Sequence, residues 1–209
     1  MCLVAVCTLS AQDTTAASAH PIERNGMPPR STPGDYPAHV QFGDRLTLAA
    51  EFAGHSVPRP EGPLSTEDYV VVEAAVFGPP EARVVLSPDD FSLRVNDKKA
   101  QTSAPFVLVA HSLRDPEWIP PEQKKSKPKT SFGGGGGGED TSTLPPKVPI
   151  ELQRAWAQYI QKAAMPEGDR LLPVAGLLFF QYRGKAQSIH SLELSYSGPA
   201  GKTTLLLQP

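Results

Sequence analysis

Proline placement constrains this chain more than any other feature, because most of its 23 prolines fall between Pro21 and Pro166. Each fixes φ and removes a backbone N–H, so prolines suit turns, edges and the first turn of a helix, and break helix interiors and central strands. The expectation is therefore short strands joined by turns. A 209-residue chain with 39% hydrophobic and 20% charged residues has the composition of a globular protein, enough for one large domain or two small ones. The 20 basic and 22 acidic residues nearly cancel, which leaves no positive field to attract nucleic acid.

The hydrophobic pattern fills in the strands. Leu46, Leu48, Ala50 and Phe52 alternate with Arg45, Thr47, Ala49 and Glu51, as in a half-buried strand. "DYVVVEAAVFG" (Asp68 to Gly78) is apolar at both parities and reads as a central strand covered on both faces. A short "RVVL" strand precedes "SPDD", where Ser87 is placed as an N-cap and Pro88 at the first helical position. Phe91, Leu93 and Val95 alternate next, "NDKK" supplies a hairpin turn, and Phe106 to Ala110 reads as a further short strand. Three closing strands follow in "GLLFFQYRG", "SIHSLELSYSG" and "KTTLLLQ", the last two joined by a turn over Gly198 to Gly201. One helix is expected over 149–165, with Leu152, Trp156, Tyr159, Ile160 and Ala163 at helical spacing. Many short strands, one helix and no βαβ rhythm favour a mainly β fold, an antiparallel β-sandwich.

The domain layout follows. Residues 1–19 form a signal-like segment, 20–41 a proline-rich N-terminal arm, and 42–209 a single β-sandwich domain interrupted by a disordered Pro/Lys/Gly-rich insertion at 114–148 and the helix at 149–165. The start "MCLVAVCTLSAQD" has the length of a signal h-region, and Ala17-Ser18-Ala19 has the A-x-A form of a cleavage site. No Lys or Arg precedes the apolar run, so an export signal and a disordered apolar terminus both stand as readings. Export places the protein in the periplasm or outside the cell, without a membrane span in the mature chain. It would also remove Cys2 and Cys7, the only cysteines, and with them any disulfide or thiol chemistry.

Ser131 to Asp140 reads "SFGGGGGGED". A phosphate-binding loop needs Gly-Lys-Ser/Thr at its end and a strand before it, whereas here Glu139 and Asp140 follow the glycines and would repel a phosphate. The run is read as a tether, and the lysines from Lys124 to Lys129 as part of a solvated loop. The five histidines show no metal-ligand spacing, no G-x-S-x-G elbow is present, and Asp89-Asp90 and Glu67-Asp68 fall where capping accounts for them. No catalytic, cofactor-binding or metal-binding residue is assigned, and no cofactor is implied. Trp118, in "DPEWIPP", stands out in the insertion. It is read either as an anchor for a partner or as a ring folded back over the sandwich edge.

Val70 to Val76, Phe91 to Asn96, Pro166 to Gly168, Gly176 to Phe179, and Leu192, Leu194 and Tyr196 follow one another in a layout that resembles uncharacterised exported bacterial proteins with an immunoglobulin-like, sometimes called telokin-like, sandwich. The resemblance covers about half of the chain, and the long insertion departs from it. It implies a fold and an envelope setting, and no activity. The functional expectation is an exported, non-enzymatic binding or structural module with an envelope protein or glycan as partner. The alternatives are a carbohydrate- or peptide-binding module using exposed aromatics, and a hydrolase whose site the sequence does not display.

Overall fold

The computed structural model describes residues 26–119 and 148–209. The signal-like segment, the lysines before the glycines and the glycine run lie outside these residues. Along the chain run β1 (Ala38–Phe42), β2 (Leu46–Gly54), β3 (Ser56–Val57), β4 (Leu64–Thr66), β5 (Tyr69–Phe77), β6 (Arg83–Leu86), β7 (Phe91–Val95) and β8 (Gln101–Thr102). Helix α1 (Phe106–Ala110), β9 (Leu113–Arg114), helix α2 (Ile150–Ala163), β10 (Gly168–Leu171), β11 (Val174–Gln181), β12 (Leu192–Gly198) and β13 (Gly201–Leu207) complete the described order.

The fold is mainly antiparallel β and sandwich-like. One four-stranded sheet has the order β1-β2-β5-β11 and the other β13-β12-β7-β8, with small sheets β3-β4-β9 and β10-β6 at the margins. Alternation aims one parity of each strand into the space between the large sheets. Leu48, Val72 and Leu178 from the first sheet meet Phe91, Leu194 and Tyr196 from the second in one buried cluster. Burying side chains of this size contributes about 1.5–3 kcal/mol each.

The outer face of the first sheet is covered as well, which accounts for the valines at both parities of β5. Trp156, Ile160 and Ala163 of α2 pack on Val71, Leu177 and Phe179. Tyr36, from the arm, packs on Ala49, Ala75 and Phe77. The helix therefore substitutes for a third layer, and its aromatic stripe divides: Trp156 is buried, while Tyr159 keeps partial exposure and donates its hydroxyl to the Pro58 carbonyl.

The Ser87 cap, the two-residue turn between β12 and β13, and the turn after β7 form as the sequence indicates. Asn96 and Asp97 take φ of 51° and 58°, the paired positive values of a type I′ hairpin turn, and β7 pairs with β8. Two readings are corrected. Phe106 to Ala110 is a helical turn, not a strand. A five-residue apolar run has no period of its own to choose between the two, and the hydrogen bond from Ala104 N to Phe179 O places Pro105 where it opens a helix against α2. The arm is also more ordered than its composition suggests, since its last residues from Ala38 to Gln41 belong to β1, paired with β2 from Ala38↔Ala50 to Phe42↔Leu46. The alternation of Ala38, Val40 and Phe42 is there, hidden behind Pro37.

Candidate functional site

β11 lies at the end of its sheet, and an uncovered edge would present a row of unpaired backbone groups. Separate segments cover it: Met27 N donates to Ala175 O, Met165 N to Leu177 O and Ala104 N to Phe179 O. Ser103, itself buried, accepts a hydrogen bond from Phe179 N at 3.3 Å. Between the second and third of these crossings a cleft of about 570 Å³ opens beside Leu177 and Phe179.

Its walls are fixed by local chemistry. The chain leaving α2 approaches β11 so closely that a Cβ on Gly176 would lie 2.4 Å from Met165 Cα, so the sheet needs glycine there. Gly26 N ties the end of the helix from behind by donating to Lys162 O at 2.7 Å. On the opposite side, the Ser87 hydroxyl accepts from Asp89 N and the Asp90 carboxylate from Ser87 N. That reciprocal cap uses the Asp90 carboxylate and leaves that of Asp89, a residue of the cleft lining, outside it. Gln158, Gln161 and Lys162 line the helical wall at i, i+3 and i+4, the spacing that puts three side chains on one face. Glu167, just before β10, and Arg170, within it, follow, and Arg170 Nε donates to the Glu167 carbonyl.

The cleft thus presents amide, ammonium, guanidinium and carboxylate groups over an apolar floor. None of Asp89, Lys162, Glu167 and Arg170 takes part in an ion pair among the described residues. The lining includes no histidine, cysteine or tyrosine, and both serine hydroxyls are bound to backbone N–H groups. Such a surface is equipped for hydrogen bonding and charge pairing with a ligand. Among the described residues no cluster of three His, Cys, Asp or Glu side chains is placed to hold a metal, and no helix is long and apolar enough to cross a membrane.

A second polar cluster lies on the outer face of the first sheet. Arg30 Nη2 bonds Glu51 and, at 3.1 Å, Glu73, while its guanidinium sits 4.3 Å from the centre of the Tyr36 ring. Burial works to lower the Arg30 pKa, and the two carboxylates outweigh it, so the net shift is upward. The only charge inside the apolar run of β5, Glu73, was the signal in the sequence for this cluster. It clasps the arm to the sheet.

Trp118 lines neither wall of the cleft. It is half-buried on a turn in which its N–H donates to Asp115 O, and Asp115 is anchored by Arg59 at 2.8 Å. Its neighbour Ile119 is 84% exposed. In the sequence Gln158, Gln161 and Lys162 look like any polar helix face, and the wall opposite them comes from the distant segments at Ser87 to Asp89 and Ser103 to Phe106. Fold and cleft together define a β-sandwich protein with a polar side cleft. Comparison with protein-family models, with curated proteins and with solved structures finds no match to this chain.

Proposed function

We propose that this protein is an exported, non-enzymatic binding module of the cell envelope, and that its ligand sits in the cleft beside β11. The observation that carries the reading is a pocket with fixed walls whose charged side chains, none in an ion pair among the described residues, come from α2, the Ser87 turn and the start of β10. Ligand sites combine an apolar lining with a few placed polar groups, and pinned walls reduce the ordering cost of binding. The apolar start of the chain and the resemblance of its strand order to that of exported sandwich proteins support the envelope setting and the immunoglobulin-like character. Trp118, beside exposed Ile119 on an anchored turn, is a separate candidate anchor for a partner protein.

Two measurements test the proposal. Protein recovered from the native host's envelope is expected to begin after Ala11 or Ala19, and cytoplasmic protein retaining Met1 would overturn the export claim. In nuclear magnetic resonance titrations against fractionated envelope peptides and glycans, the side-chain amide signals of Gln158 and Gln161 are expected to shift. Hydrolysis of either class by the purified protein would replace the binding reading with an enzymatic one.

A further inference from the structure

Resting on the reading of the cleft as a ligand site, we infer that its ligand is an extended peptide segment carrying residues of both charge signs. The edge of β11 decides the mode. Its outward carbonyls at Ala175, Leu177 and Phe179 already accept hydrogen bonds from the chain's own segments, so a ligand cannot add itself as another strand. Side chains must do the recognising. Gln158 and Gln161 each offer a donor and an acceptor, which matches the N–H and C=O that every peptide unit presents.

The spacing agrees. Gln158 and Lys162 are separated by four helical residues, about 6 Å along the axis, while side chains on one face of an extended chain recur about every 6.6 Å. A peptide whose backbone meets Gln158 thus brings a side chain to Lys162 two residues on. That side chain is acidic, because the Lys162 ammonium is without an ion-pair partner among the described residues. Asp89 and Glu167, equally unpaired, call for a basic residue elsewhere in the same ligand. A glycan is disfavoured by the floor: sugar faces stack on exposed aromatic rings, and here Phe179 is 1% exposed, Phe106 is the one partly exposed ring and packs against the helix cluster, and no Trp or Tyr lines the cleft.

The test titrates the full chain with three soluble probes: eight-residue peptides holding one Glu and one Lys in an Ala/Ser background, the uncharged Ala/Ser peptides, and a set of neutral oligosaccharides. Mixed-charge peptides are expected to bind and to shift the Gln158 and Gln161 amide signals. Lys162→Glu is expected to weaken mixed-charge peptides about ten-fold or more, the worth of one hydrogen bond to a charged group; the exposed side chain leaves the fold intact, with a small drop in melting temperature because an anion replaces a cation in the last turn of α2. Gln158→Ala with Gln161→Ala should weaken charged and uncharged peptides alike. Oligosaccharides that shift the cleft signals while the peptides do not would overturn the peptide inference and keep the binding site. Silence of the cleft signals to all three probes would overturn the inference and the proposed site together. Peptide binding that Lys162→Glu leaves unchanged would overturn the charge pairing.

Discussion

Glu51 and Glu73 are direct cross-strand partners of β2 and β5, and both carboxylates bond the same nitrogen, Nη2 of Arg30. Like charges placed opposite each other destabilise an antiparallel pair. Arg30 converts that repulsion into the attachment of the arm, with Tyr36 beneath its guanidinium. Arg30→Ala is expected to cost about 2 kcal/mol, less than a fully buried pair, because Arg30 and Glu51 are 31% and 40% exposed. Adding Glu51→Gln to Arg30→Ala should recover part of the loss by removing the repulsion. Equal denaturant midpoints for the single and double variants would refute the account.

The cleft wall makes a separate demand on glycine. Gly176→Ala is expected to destabilise by about 2–3 kcal/mol through overpacking, since the new methyl would meet the Met165 and Ala164 backbone within 2.8 Å. Gly168 has φ of +88° and nothing within 4 Å of a Cβ, so Gly168→Ala should cost only the conformational strain, about 1 kcal/mol. Thermal melts of the two variants check the order.

Alkaline pH should weaken the fold. The phenols of Tyr36 and Tyr196 are raised by burial, and that of Tyr159 by burial and then by the nearby Glu61 charge. The unfolded chain loses these protons near pH 10 while the folded chain retains them, so unfolding releases protons. The contribution to stability is whole below pH 10 and is lost as pH rises towards the folded-state values. Denaturant midpoints measured from pH 9 to 11 are expected to fall. Tyr36→Phe, which keeps the ring under Arg30, should make that fall shallower while changing stability at pH 7 by less than about 1 kcal/mol.

Cleavage between Lys124 and Lys129 should leave one body. β5 and β7, before the cut, pair with β11 and β12 after it, and Phe91 and Leu93 share a core with Leu178 and Leu192. Size-exclusion chromatography of the nicked chain is expected to show the fragments eluting together. Shortening the six glycines to three should change stability by well under about 1 kcal/mol, because closure entropy varies slowly with loop length. Separation into two stable bodies would mean that the insertion joins two domains.

Local pattern determined most strands and the principal helix. The alternation of Leu46 to Phe52, the double-faced apolar run of β5, the Asn96-Asp97 turn and the helical stripe of α2 each act over a few residues and can be read without knowing what packs against them. Tertiary structure decided the rest. Phe106 to Ala110 became helical because Ala104 is held on β11, and β3, β4 and β9 are two or three residues long, too short to show a period. The cleft is nonlocal in the same way: Asp89 and Ser103 are far in sequence from Gln158 and Arg170, and only the closure of the β11 edge by separate segments brings them around one cavity. Periodicity records which face of an element is buried, but it does not record what lies opposite that face, and a binding site is made from opposite faces.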